Sequence, residues 1–276
     1  MDIRLNSRGE QQLLEHIIYE NDKKEYIVLL HGIGGNSRVF FKQLKAYTKE
    51  YNVIAIHLPG HGKSAKPQDY NEPFSLKLVA DEVKRLLASL KIDKAHFVGI
   101  SLGSIIIHTI LQNHPSIVKS AVLGGTITRF TPLSKLLINL GDLTKDVTPH
   151  MWLYRFFAWI MMPKSNHKNA RSVFIKEAKK LRRDDLLAWF RIAKTVDKTH
   201  KFLEQKAKGI PRLYISGRED HLFLDPLKKD LANDQDAELI VLEQCGHVCN
   251  IEKGKEFNQA SLRFLRQNSH HIHHAS

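Results

Sequence analysis

The chain has 276 residues, 42% of them hydrophobic, and carries 42 Lys+Arg against 29 Asp+Glu for a formal net charge of +13. That length accommodates one large α/β domain or two small ones, and the apolar share is enough for a sizeable core. Two cysteines four positions apart, Cys245 and Cys249, exclude a disulfide framework; no apolar run reaches the ~20 residues of a membrane span, and the N-terminus lacks the apolar stretch of a signal peptide, so a cytoplasmic location is expected.

Leu14 to Glu20 reads as an edge strand, and Asn21 to Lys24 as a turn into Glu25-Tyr-Ile-Val-Leu-Leu, a continuous apolar run suited to a strand covered on both faces. That strand ends in His31-Gly32-Ile33-Gly34-Gly35, a backbone free to turn at the carboxyl end of a central strand, where open α/β sheets bind ligands. A short helix from about Ser37 to Thr48 leads to a second buried strand, Asn52 to Ile56, closed by the loop His57-Leu-Pro-Gly-His-Gly-Lys-Ser64. Between Ser75 and Leu90 the apolar residues Leu76, Val79, Val83, Leu86, Leu87 and Leu90 recur at helical spacing, with Asp81, Glu82, Lys84 and Arg85 on the other face.

The run Lys94 to Val98 then leads into Gly99-Ile100-Ser101-Leu102-Gly103, and the apolar stretch after it reads as a helix. A G-x-S-x-G pentapeptide between strand and helix is a nucleophile elbow: the serine sits in a strained turn that lifts its hydroxyl above the sheet. Glycines two positions to either side let strand and helix approach closely enough for the turn to close. The helix ends near Asn113-His114-Pro115, and Ile117 to Gly125 is the next strand. Strands alternating with helices of these lengths imply a mostly parallel sheet with right-handed crossovers and helices on both faces.

At Thr126 the alternation stops. From Pro132 to about Lys208 the pattern is helical throughout, with segments expected at Leu133–Leu140, Pro149–Met162, His167–Leu181 and Asp184–Lys206. After Gly209-Ile-Pro211 it resumes, with a strand at Arg212 to Ser216, a turn through Gly217 to Asp220, a helix near Pro226 to Ala232, a strand at Ala237 to Leu242 and a final helix from about Asn250 to Arg266. The division expected is an α/β core of residues 1–127 and 209–268, an inserted all-helical lid of residues 128–208, and a disordered His-rich tail, 269–276, with no catalytic role.

A serine hydroxyl needs a base within hydrogen-bond reach and a carboxylate to hold that base in the right tautomer. Of sixteen histidines, His247 lies on the loop after the last strand, at the carboxyl edge of the sheet. Asp220 follows the strand that ends at Ser216, with Glu219 and Asp225 as rivals for the acid. The stretch after the strand at 117–125 contains no acid, which favours Asp220, and the order Ser101, Asp220, His247 is the one an elbow of this kind takes. A zinc site from Cys245, Cys249 and His247 lacks a second ligand pair, so neither metal nor cofactor is expected.

With these residues in place the sequence resembles the α/β-hydrolase superfamily, in its lidded serine esterase and lipase-like branch. The resemblance covers nearly all of the chain outside the lid, through His31-Gly32, the Leu58 to Ser64 loop, Gly99 to Gly103, Gly217-x-x-Asp220 and Gly246-His247. It implies Ser101 as nucleophile, Asp220 orienting His247, and an oxyanion hole from the backbone N–H groups of Leu102 and Ile33. Family members usually carry Asp where this chain has His57, which leaves the hydrogen bonding of that loop open.

The remaining question is the substrate. Met151 to Met162 is apolar almost all round apart from Arg155, and Gly32, Trp152, Phe156, Trp159 and Val248 are expected to line a pocket for a lipophilic acyl or alkyl group. Between Thr128 and Gly209 there are 18 Lys+Arg and 7 Asp+Glu, a net of +11, against +2 for the rest of the chain. That charge reads as a solvated helix exterior or as a weak attraction to anionic membrane surfaces or to negatively charged substrates, and no aromatic-interleaved motif for nucleic acid accompanies it. The expected activity is therefore hydrolysis of a small-molecule carboxylic ester. The alternatives are a C–C bond (ring-fission product) hydrolase or a lactonase with the same triad, and, outside enzymes, a hydrolase-like ligand receptor or signalling partner with little turnover.

Overall fold

The computed structural model describes residues 14–144, 148–196, 200 and 203–269. The central sheet has seven strands in the order β1-β3-β2-β4-β5-β6-β7, formed by His16–Tyr19, Tyr26–Leu30, Asn52–Ile56, Ala95–Ile100, Val118–Gly124, Arg212–Gly217 and Ala237–Leu242 for β1 to β7 in chain order. Only the edge strand β1 is antiparallel, to β3; every other pairing is parallel. This is the α/β-hydrolase fold with a mostly parallel sheet that the alternation implies.

Period-two alternation sorts the strand residues onto two cores. On one face Val28, Leu30, Ile54, Ile56 and Phe97 pack with α2 (Leu76–Ser89) and α3 (Leu102–Asn113). On the other, Ile27, Leu29, Val53, Ala55, Val98 and Ile100 pack with α1 (Phe41–Tyr47) and the C-terminal helix. Continuously apolar strands form here because both faces are covered.

Between β5 and β6 the described residues form α4 (Pro132–Thr144), α5 (His150–Met161), α6 (Lys168–Ala178), α7 (Arg183–Ala193) and a single turn, α8 (Leu203–Lys206). The helix expected over Asp184–Lys206 therefore stops at Ala193. There the Thr195 hydroxyl takes the Ile192 carbonyl at 2.7 Å and diverts a backbone acceptor. After α9 (Leu224–Leu231) and β7, the expected final helix is likewise split into α10 (Cys249–Glu252) and α11 (Gly254–Ser269). Lys253 leaves helical geometry at φ −122° and ψ 52°, and Gly254 then sits against the Lys42 stem, where a Cβ would come within 2.5 Å of Cδ. Ser269 closes α11, its hydroxyl 3.0 Å from Tyr51 Oη, whereas the rest of the predicted tail lies outside the described residues. No helix among the described residues is long and apolar enough to cross a membrane.

Candidate active site

β4 delivers Ser101 at the carboxyl edge of the sheet, and the chain reverses there with φ 54° and ψ −114°. A left-handed φ on a non-glycine residue costs about 1–3 kcal/mol and has to be enforced by the surroundings. The surroundings are two glycines: a Cβ on Gly103 would meet the Leu30 carbonyl oxygen at 1.9 Å, and one on Gly99 would meet the Gly103 carbonyl carbon at 2.6 Å. The Ser101 N–H is anchored on the Gly124 oxygen at 2.9 Å, across the adjoining strand β5.

The loops after β6 and β7 bring the other two predicted residues to this serine. His247 Nε2 is 2.9 Å from Ser101 Oγ, and His247 Nδ1 is 2.8 Å from Asp220 Oδ2. Because a carboxylate only accepts, Nδ1 carries the proton and donates it to Asp220, leaving the Nε2 lone pair to face the serine hydroxyl. Asp220 and His247 are buried. Burial pulls the imidazole pKa down, but the charge and hydrogen bond of Asp220, with the more distant Glu252 carboxylate, outweigh it and raise the value above 6.5.

The two rival acids are occupied elsewhere. Glu219 turns to Lys164 Nζ and His167 Nε2, both at 2.8 Å, and its Asn166 and Lys164 partners hold its carboxyl down at about 2. Asp225 lies in α9 with an exposed side chain near Lys228.

Glu252, which no sequence pattern singled out, clamps the histidine loop: its carboxylate accepts the Gly246 N–H at 2.7 Å and the Val248 N–H at 3.3 Å, one on each side of His247. Replacing Glu252 by Gln removes the second anion that favours protonated His247. The imidazole must be neutral to accept a proton, so kcat/KM should rise with pH through the raised His247 pKa. In Glu252→Gln that acid limb should move to lower pH. The pH profile of kcat/KM checks this, and an unmoved limb would remove Glu252 from the electrostatics of the site.

The chain after β2 lies on the other side of Ser101. Gly32 is so close that a Cβ there would sit 3.3 Å from Ser101 Cβ. Its carbonyl faces His31 Nδ1 at 2.8 Å and accepts the Gly35 N–H at 2.9 Å, which fixes the peptide plane carrying the Ile33 N–H. The next peptide is held at both ends, with Tyr154 Oη donating to the Ile33 oxygen at 2.9 Å and the Gly34 N–H donating to His61 Nε2 at 3.1 Å. Burial pushes the His61 pKa down to about 4, so the ring stays neutral and able to accept. Ile33 and Leu102 both line the cavity beside Ser101.

His57, where the resemblance leads one to expect Asp, finds a carboxylate from outside its loop. Its Nδ1 bonds Glu15 Oε2 at 2.8 Å and its Nε2 lies 2.9 Å from Ser37 Oγ, while Glu15 also accepts the Lys63 N–H.

Hydrogen bonds from α5, from α7 and from the turn before α6 tie the segment between β5 and β6 to loops at this edge of the sheet. Tyr154 of α5 reaches Ile33, Trp189 of α7 donates to the Pro59 oxygen at 2.8 Å, and His167 before α6 reaches Glu219 beside Asp220. Tyr154 and His167 escaped the sequence reading because an aromatic run and a lone histidine carry no spacing signal of their own.

Above Ser101 opens a cavity walled by residues from α3 to α5, from α6 and α7, and from the Leu222-Phe223 turn. Among the described residues, Ser101, Ser134 and Tyr154 are its only polar lining residues, and no charged side chain lines it. The sequence expectation for this wall needs correction. Trp152, Phe156 and Trp159 are exposed, and α5 lines the cavity with Tyr154, Phe157, Ile160 and Met161 instead. Successive residues advance about 100° around a helix, so these two sets occupy different faces. A helix apolar on all sides gives no sequence signal for which face turns inward. The Trp159 ring stacks on the Arg171 guanidinium, 3.5 Å from centroid to carbon. Val248 is buried in the core beneath α10 rather than in the cavity wall, and Gly32 borders Ser101 without lining the main cavity.

A family model for the alpha/beta hydrolase fold matches residues 25–160. A protein of Pseudomonas syringae pv. syringae, named putative carbamate hydrolase RutD, is 29% identical over 254 residues, covering 87% of this chain and 93% of that one. A 2-hydroxy-6-oxononadienedioate/2-hydroxy-6-oxononatrienedioate hydrolase of Paraburkholderia phymatum is 29% identical over 288 residues, covering 94% and 93% of the two chains. Among solved structures, a hydrolase of Pseudomonas aeruginosa superposes with a TM-score of 0.80 at 23% identity, over 95% of this chain and 97% of that one.

Proposed function

The chain belongs to the α/β-hydrolase superfamily and is a hydrolase, and from that premise we propose that it cleaves carboxylic esters bearing an apolar acyl or alkyl group, through an acyl-enzyme on Ser101. The observation that carries the proposal is the cavity, whose lining among the described residues is mostly apolar and carries no charged side chain.

In the first half-reaction Ser101 Oγ attacks the ester carbonyl carbon while His247 Nε2 takes the hydroxyl proton. Asp220 stabilises the imidazolium that results. The carbonyl oxygen becomes an anion that the N–H groups of Leu102 and Ile33 receive, each such donor contributing about 10²–10³ in rate. Collapse breaks the bond to the alcohol, which departs with the proton from His247. In the second half-reaction water gives a proton to His247, attacks the acyl carbon, and releases the acid and a restored Ser101.

The names of the two relatives suggest other chemistries, a carbamate in one and a substrate with two carboxylates in the other. A carboxylate buried without a cation is strongly disfavoured, and among the described residues no Lys or Arg lines this cavity. A neutral, lipophilic ester fits it without that penalty.

A panel of p-nitrophenyl esters tests the reading. Each further buried CH₂ is worth about 0.8 kcal/mol, so kcat/KM should climb about tenfold from acetate to butyrate and continue upward to hexanoate. Strict acetyl preference would overturn the acyl assignment. No turnover of any ester, with turnover of a carbamate, lactone or ring-fission product, would overturn the ester assignment.

A further inference from the structure

Of the ten large apolar side chains exposed among the described residues, seven stand on α4 and α5: Leu133, Leu136, Leu140, Leu143, Trp152, Phe156 and Trp159. They fall at intervals of three and four within each helix and so form one stripe on α4 and one on α5. Neither stripe faces the catalytic serine, since α4 lines the cavity with Ser134, Leu137 and Ile138, and α5 with its own separate set. The same two helices thus wall the cavity with one face and present leucine and tryptophan to solvent with another. Leu143 is 81% exposed and Trp152 70% exposed, in a chain whose core residues are otherwise well covered. Apolar surface of this kind marks a contact site.

The charge around the stripes selects the occupant. Residues 128–209 carry a net +11, and exposed Arg155 stands on α5 among the exposed aromatics, with Lys168 and Lys176 exposed on α6. A second copy of this chain, docked isologously through the same face, would set that positive segment against itself. An anionic bilayer surface neutralises it. At 13 and 12 residues, α4 and α5 are too short to span a bilayer, but a helix with an apolar face and basic neighbours lies in the headgroup region, with its leucines and tryptophans at the acyl boundary.

We propose that the outer faces of α4 and α5 dock this protein on anionic phospholipid membrane surfaces. The proposal is independent of the ester reading, because its test requires no turnover.

The full chain is sedimented with vesicles of phosphatidylcholine alone and of phosphatidylcholine with phosphatidylglycerol. Binding is expected to the anionic vesicles, to weaken with added salt, and to fall about tenfold or more in Leu136→Ser/Leu140→Ser/Trp152→Ser. These side chains are exposed, so the Tm of the triple variant should match the parent protein and show that the fold is retained. A charge variant, Arg155→Glu/Lys168→Glu, should lose the preference for anionic lipid. Absence of wild-type binding to either vesicle, or equal binding by wild type and triple variant, overturns the proposal. A concentration-dependent dimer that the triple variant dissolves, without vesicle binding, overturns it in favour of a second copy.

Discussion

Replacing Ser101 by alanine is expected to lower ester turnover by about 10⁵–10⁶-fold and to abolish covalent labelling by a fluorophosphonate probe. The magnitude follows from the cooperation of the three groups: without the hydroxyl there is no acyl-enzyme, and the His247–Asp220 pair has no proton to accept, so removing the nucleophile costs about as much as removing the whole triad. Residual catalysis of about 10³–10⁴ over water would come from the oxyanion donors and substrate binding alone. The 2.9 Å contact between Ser101 Oγ and His247 Nε2 is the only geometry this prediction needs. Labelling and burst kinetics measure it directly. A wild type that does not label would leave the passive-receptor alternative in its place, and a variant that labels equally would exclude Ser101 as the labelled nucleophile.

The largest effect on stability is expected at a residue that touches no substrate. In Gly103→Ala the new Cβ would stand 1.9 Å from the Leu30 carbonyl oxygen, deep inside contact distance and against backbone in a central strand. Neither side yields easily, because Leu30 is fully buried and paired into the sheet at Gly99. A side chain forced into packed backbone belongs to the severe class, at about 4 kcal/mol or more, which for a chain of this size lowers Tm by roughly 10 °C. Thermal unfolding of the variant gives the number, and a Tm within a degree or two of wild type would mean that α3 can move away from β2. If the variant folds at all, its activity should fall as well, since a shift of α3 moves the Leu102 N–H and Ser101 together.

Much of this was visible in the residues themselves. Strands and crossover helices announce themselves because the periods 2 and 3.6 differ and because glycine and proline punctuate their ends. The elbow was legible for a stricter reason: only Gly at positions 99 and 103 permits the approach that the turn demands. The less legible parts depended on partners distant in sequence. Glu15 supplies a carboxylate to His57 across 42 positions, and Tyr154 reaches Ile33 across 121. Neither of these pairs has a local spacing that could reveal it.

The aromatic helix α5 marks the boundary most clearly. Its sequence established a short helix, rich in Trp, Phe and Met, too short to span a membrane and set within the most basic part of the chain. Periodicity did not decide which side of it faced the serine, because a helix apolar all round has no preferred inner face until packing supplies one. The tertiary structure made that choice by burying Tyr154 against the Ile33 carbonyl and Ala158 in the core, which turned Phe157, Ile160 and Met161 into the cavity and left Trp152, Phe156 and Trp159 outside. Local chemistry along the chain thus determined the fold, the chain order of Ser101, Asp220 and His247, and the place of the loop after β2 beside that serine. Which apolar residues line the cavity, and which face solvent, was a matter of how whole elements pack, and only their assembly in three dimensions could decide it.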